Sequence, residues 1–193
     1  METPINVRDV VYAVVSADAS TGISYSAAPA AIAPAMSFKA SRKSSSDTLR
    51  GDGEPTSNQT TLGEIEVEME LNAIPLSVQA VLLGHKFTAG TIGTTSTPDK
   101  QQECKGDKAP YVGIGVTYDQ EDGSVGYRWL YKGRFEEPDE SVKQKEDKTT
   151  FSTPTLKGTF IMPAAGEIRT KLNFAKEPKT NDYKTLFGLT THA

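Results

Sequence analysis

At 193 residues the chain is long enough for one domain with a sizeable core. Its 21 Lys and Arg against 25 Asp and Glu give a formal charge of −4, which excludes the basic footprint used to grip nucleic acid or an anionic membrane. One cysteine and two histidines exclude a disulfide framework and a structural zinc site, and no apolar run reaches the roughly 18 residues of a membrane-spanning helix.

The start of the chain, METPINVRDV, has neither a basic segment nor a following apolar stretch, which predicts folding in the cytosol. Residues 10–15 (VVYAVV) are β-branched and aromatic and predict a strand. Asp18 with Thr21-Gly22 marks a turn, and Ile23, Ser24 and Tyr25 form a short returning strand. Residues 27–35 are rich in Ala and Pro, which disfavours a helix or a central strand. Met36, Phe38 and Ala40 then alternate with Ser37, Lys39 and Ser41, the pattern of a half-buried strand.

Residues 41–63 (SRKSSSDTLRGDGEPTSNQTTLG) have almost nothing to bury, with Leu49 and Leu62 the only large apolar side chains. They predict a long inter-strand loop, and a loop of that length is usually functional. Arg42, Lys43 and Arg50 sit among Asp47, Asp52 and Glu54. The plain reading is a solvated loop; the sharper one is an extended arm that orders against a neighbouring subunit, with Arg42, Lys43, Asp47, Leu49, Arg50, Asp52 and Glu54 as its contact residues.

The chain is organised around residues 61–86 (TLGEIEVEMELNAIPLSVQAVLLGHK). Glu64, Glu66, Glu68 and Glu70 alternate with Ile65, Val67, Met69 and Leu71, so a strand here carries four carboxylates on one face and four apolar side chains on the other. Glu is depleted in strands, and carboxylates two residues apart stand only about 6–7 Å from each other. After Ile74-Pro75 the period changes: Leu76, Val78, Val81, Leu82 and Leu83 follow a helical spacing, with Pro75 suited to its start and Gly84 to its C-terminal cap. The helix covers the apolar side of the acidic-faced strand.

A second polar loop is expected at residues 90–110. Val112, Ile114, Val116 and Tyr118 then share one strand face, Gln120-Glu121-Asp122-Gly123 turns the chain, and Tyr127, Trp129, Tyr131 and Phe135 continue the alternation, which together read as a hairpin. Residues 136–150 (EEPDESVKQKEDKTT) read as a solvated loop or ribbon tip and residues 155–162 as a last strand. Asn181 can cap a short C-terminal helix within residues 181–189. The expected fold is mainly β, with six or seven strands: a single-domain (1–193) β-sandwich or partly open barrel with one flanking α-helix and a long inter-strand loop.

Catalytic signatures are few. Gly113-Ile114-Gly115 lies inside a strand pattern without the third glycine or the helix of a dinucleotide site, so close packing is the expected role. The glutamate row offers no buried, asymmetric carboxylate pair of the kind a glycosidase needs. His85 beside the helix end reads as structural, capping exposed carbonyls, and Cys104 beside Lys105 as incidental. Tyr127, Trp129 and Tyr131 are either core or a sugar-stacking platform. No catalytic residue, metal ligand or cofactor site is expected.

Several segments in combination resemble a known family: Val7-Arg8-Asp9-Val10-Val11-Tyr12-Ala13, Ile65-Glu66-Val67-Glu68, Ile74-Pro75-Leu76-Ser77-Val78-Gln79-Ala80 and Leu82-Leu83-Gly84-His85-Lys86. In the second half they are Ala109-Pro110-Tyr111-Val112, Trp129-Leu130-Tyr131-Lys132-Gly133-Arg134-Phe135, Pro138, Glu146-Asp147-Lys148, and residues 151–160 (FSTPTLKGTF). The chain is similar along nearly its whole length to the major tail proteins, or tail tube proteins, of long-tailed phages with non-contractile tails and related prophages. That resemblance implies a structural, non-enzymatic virion subunit, assembled in the bacterial host cytoplasm, without a cofactor. It implies self-association into stacked hexameric rings, further contacts with tape measure, tail terminator and distal tail proteins, and passage of phage DNA through the lumen without specific binding or any membrane role.

Charge fits that expectation. Duplex DNA carries a negative charge every ~1.7 Å, and each cationic contact would act as a brake on its passage. Glu64, Glu66, Glu68 and Glu70 are therefore the expected lumen lining. The competing reading is a β-sandwich binding module of a virion or cell surface, directed at carbohydrate or protein through Tyr127, Trp129 and Tyr131.

Overall fold

The computed structural model describes residues 3–51, 54–92, 96–138, 153–178 and 182–191. β-Branched, aromatic and alternating runs form strands β1 (Pro4–Ala19), β2 (Gly22–Tyr25), the two-residue β3 (Ala30–Ala31), β4 (Ala35–Gly51) and β5 (Glu54–Leu71). Helix α1 (Leu76–Leu83) follows, then the short strands β6 (Lys86–Thr88) and β7 (Lys100–Gln102). The second half holds β8 (Val112–Gln120), β9 (Val125–Phe135), β10 (Thr155–Phe160), β11 (Arg169–Phe174), helix α2 (Tyr183–Phe187) and β12 (Thr190–Thr191). The class is mainly β, as expected. The strands outnumber the six or seven read from the sequence because β3, β6, β7 and β12 are too short to show a period and the six-residue β11 is a further strand absent from that reading.

Ten strands share one sheet: eight run in the order β12-β2-β1-β8-β9-β10-β5-β4, β11 joins at β9 and β3 at β1, while β6 and β7 pair separately. The sheet forks at β9: residues 125–130 pair with β11, and residues 133–135 with β10. Register shifts interrupt β1 against β8 and β4 against β5, and such bulges sharpen twist and bend a strand. The sheet thus curls until β4 lies against β1, yet the two make no ladder, so the result is a partly open barrel and not a closed one.

Curling gives the sheet an inner and an outer core. Ile65, Val67, Met69 and Leu71 all point inward, with Val10 of β1, Val112, Ile114 and Val116 of β8, Leu130 of β9 and Leu156 and Phe160 of β10. Helix α1 packs on this inner core through Val78 and Leu82. It starts behind an extended Pro75 and ends at Gly84, whose left-handed φ of 76° lets its N–H reach the Ala80 carbonyl. A methyl group there would also collide with the Lys108 carbonyl.

The outer core is aromatic: Tyr25, Tyr127, Trp129 and Tyr183, with Ala13, Ile23, Val125 and Leu189. Trp129 Nε1–H donates to Tyr25 Oη at 2.9 Å, and Tyr25 O–H donates in turn to the Tyr131 carbonyl at 3.0 Å. The two rings meet edge to face with centroids 5.5 Å apart. Gly113 and Gly115 have the packing role expected of them. A Cβ on Gly113 would stand 2.7 Å from the Tyr25 ring, and one on Gly115 would strike Tyr183, so β8 must be bare there for the aromatics to lie flat on it. Asp182 caps α2 by accepting from the Lys184 N–H; Asn181, the expected cap, lies outside the described residues.

Asp18 fastens the end of β1 to its surroundings. It accepts from Lys132 Nζ at 2.5 Å and from the Ala164 N–H at 2.9 Å. The Lys132 hydrogen bond holds its carboxyl below the usual carboxylate range despite partial burial. Asp18→Ala is expected to cost about 1.5–3 kcal/mol in a urea titration at neutral pH. Because the folded value lies below the unfolded one, that stabilisation is present above about pH 4 and fades as pH falls further, so the gap between wild type and variant should narrow in acid.

The structure corrects two loop assignments. Residues 41–63 are no loop: β4 and β5 pair antiparallel from Ala35↔Leu71 out to Gly51↔Glu54, making one long hairpin. Periodicity misses such a ribbon because its sequence has almost no large apolar residue to set an alternation. The ladder is a backbone structure, continued outward from a base whose register the inward apolar residues set, and Ser and Thr tolerate it well. Residues 90–110 likewise contain β7, which pairs with β6, and a Thr91–Thr97 bridge.

Candidate functional site

The four glutamates of β5 do share one exposed face, opposite the inward Ile65, Val67, Met69 and Leu71. That face is not purely acidic. Antiparallel pairing sets Ser37 beside Glu70, Lys39 beside Glu68 and Ser41 beside Glu66, and a bulge brings Lys43 alongside. Lys43 Nζ lies 2.6 Å from Glu66 Oε1 and 3.1 Å from Glu64 Oε1, and Lys39 Nζ lies 3.8 Å from Glu68 Oε2. Glu66, then Glu64, holds the Lys43 ammonium above its usual range. Ser37 Oγ donates to Glu70 Oε2 at 3.2 Å. On the other flank, β10 sets Thr155, Lys157 and Thr159 beside Glu70, Glu68 and Glu66.

The result is a polar mosaic in which glutamates alternate with cations and hydroxyls across three strands. With side chains 40–71% exposed, these ion pairs contribute only about 0–1 kcal/mol each. What they fix is the charge pattern of the face. The alternation of Ser37, Lys39 and Ser41 in the sequence held this information, but only the register discloses which glutamate each one meets.

The residues expected to form an arm divide differently. Lys43 joins the glutamate face, whereas Arg42 lies opposite Ile65 on the inward side. Asp47, Leu49, Arg50 and Glu54 occupy the outer part of the β4–β5 ladder, their side chains outside the described residues, as is all of Asp52. Beyond β5, β4 has no other ladder partner among the described residues, so one margin of a 17-residue strand is unpaired.

The remaining candidates fall away. Tyr127 and Trp129 are fully buried and Tyr131 packs against the same outer core, so they form no stacking platform. The His85 ring meets Gln101, with Nδ1 and Nε2 2.7 Å apart, and only its backbone N–H reaches the Ala80 carbonyl, so the ring does not cap α1. Among the described residues, His85, Glu103 and Glu137 bring potential ligand atoms within 4.8 Å of one another; both carboxylates are exposed, and nothing else there points to an ion. Cys104 is exposed in a turn closed by Asp107, which accepts its N–H at 2.8 Å.

What remains defines a class: a curled, mainly β fold with a long polar hairpin and a mixed-charge sheet face. Neither the known protein families nor the curated proteins contain a match to this chain.

Proposed function

We propose that this chain is a non-enzymatic structural subunit of a phage tail tube. It closes into hexameric rings with copies of itself, the rings stack into a hollow conduit in the virion tail, and DNA passes through during ejection. Assembly takes place in the bacterial host cytoplasm, with tape measure, terminator and distal tail proteins at the tube ends.

The observation that carries this reading is the β4–β5 hairpin. A long unpaired strand margin is ordinarily blunted, because its free N–H and C=O groups recruit other chains. Here the margin is long and its outer half polar, which keeps a monomer dispersed while offering a neighbour a ladder to extend. The motif resemblance along the chain supplies the kind of assembly.

In this reading the glutamate face of β5 lines the lumen. Lys39 and Lys43 temper its repulsion of phosphate, so Glu64, Glu66, Glu68 and Glu70 act as an excess over paired cations and not as a bare carboxylate wall. Glu66→Lys combined with Glu68→Lys would set two further cations beside Lys39 and Lys43. Tubes should still form, while DNA release slows, most strongly at low salt, in a fluorescence assay of ejection. Normal release kinetics would remove these residues from the lumen.

Electron microscopy of concentrated purified protein tests the whole reading. Hollow rods of stacked rings are expected. A monodisperse monomer under all conditions, with affinity for glycans, would replace the reading with that of a binding module.

A further inference from the structure

Three strands distant in sequence deliver four cations to one region of the inner sheet face. Arg128 of β9 and Lys171 of β11 are directly opposed, Arg169 stands two residues along β11 opposite Leu130, and Arg42 faces inward from β4 opposite Ile65. Directly opposed residues project from the same face. Arg128 and Lys171 line a cleft of about 470 Å³ with Pro4, Tyr118, Gln120 and Asn173. The Arg128 guanidinium lies over the Tyr118 ring, 4.5 Å from its centroid.

None of the four has an acidic partner among the described residues. Nε of Arg42 and Nε of Arg128 are buried without a hydrogen-bond acceptor. Burial, then Arg128 and Arg42, lowers the Arg169 guanidinium from its usual range, and Arg169, then burial and Arg128, lowers the Lys171 ammonium. Arg8, Lys39, Lys43 and Lys132, by contrast, each have a carboxylate within 4.0 Å. Crowded cations left without one destabilise the free protein, and an incoming anion relieves that repulsion.

The layout selects the anion. Alternate residues on a strand are about 6.6 Å apart and adjacent strands about 4.8 Å, so one small oxyanion cannot meet all four charges. The chain's net charge of −4 works against binding a nucleic-acid duplex. An extended peptide presents side chains with the same period as Arg169 and Lys171 on β11. We propose that Arg42, Arg128, Arg169 and Lys171 form a docking site for an acidic peptide segment of a partner protein, its carboxylates set against the cationic row. This goes beyond the tube reading and does not depend on it.

The probe is a fluorescein-labelled hexaglutamate peptide, followed by anisotropy at low salt with the full chain. Wild type should bind it, added salt should weaken the binding, and Arg169→Gln with Lys171→Gln should weaken it by at least about tenfold. The melting temperature of that double variant should equal or exceed wild type, since two mutually repelling charges are removed. Arg42→Gln, on a separate strand, provides a second variant with the same expected loss should the first fail to fold. Equal binding by wild type and variants, or no binding by wild type, overturns the proposal. So does equally tight binding of pyrophosphate, which would make this a small-ion site, or tighter binding of duplex DNA. Wild-type self-association lost in the variants without any peptide binding would make a second copy the occupant and overturn it as well.

Discussion

Trp129→Ala should cost about 3–5 kcal/mol, a large part of the roughly 5–15 kcal/mol that holds a domain of this kind together. Trp129 is fully buried at the centre of the outer core, with Tyr25 edge-on to it and Tyr183 and Phe187 tilted over it at 5.8 and 6.1 Å. Truncation removes the indole and also the Nε1–H that Tyr25 Oη accepts, leaving the tyrosine hydroxyl with only its bond to the Tyr131 carbonyl. Gly113 and Gly115 of β8 cannot fill the space, since they are bare to accommodate these rings. Denaturation followed by circular dichroism measures the loss. Trp129→Phe should fall between the two, retaining most of the apolar contact and losing the hydrogen bond. A variant as stable as wild type would mean that α2 and β2 are held by other contacts.

Shortening the β4–β5 hairpin should have the opposite profile, sparing the fold and abolishing polymerisation. Ser45 pairs with Thr61, so replacing residues 46–60 by Asn-Gly joins the two strands through a two-residue turn without disturbing the register below. Lys43, Glu64 and Glu66 keep their ion pairs, and Ile65 through Leu71 keep their places in the inner core. Melting temperature should therefore stay within a few degrees of wild type. Under the tube reading, sedimentation should find a monomer at concentrations where wild type forms rods. Undiminished tube growth would show that the outer hairpin is not the joint between subunits.

Much of the inner architecture was legible in the residues themselves. Ile65 to Leu71 alternate because one side must be buried; α1 announces itself by its change of period and by Gly84; the Asp122-Gly123 turn joins two strongly apolar strands. Each of these signals comes from burial or from a special backbone angle. The outer hairpin gave none, because its residues are almost all polar and a ladder's backbone hydrogen bonds leave no mark on composition. The pairing of Lys39 and Lys43 with the glutamates, and the gathering of Arg42, Arg128, Arg169 and Lys171, depend on which strands become neighbours. Between Arg42 and Arg169 lies most of the chain, so no local pattern links them.

The pairing of β12 with β2, Thr190 beside Ser24, has a kinetic consequence. Tyr183 and Leu189 roof an aromatic layer whose floor includes Tyr25, so a growing polypeptide exposes that layer until residues near 190 have left the ribosome. Topologies dominated by such distant pairings fold slowly. Completion of this fold therefore waits for residues near 190 to emerge, and until then the exposed aromatic layer is the part most in need of a chaperone.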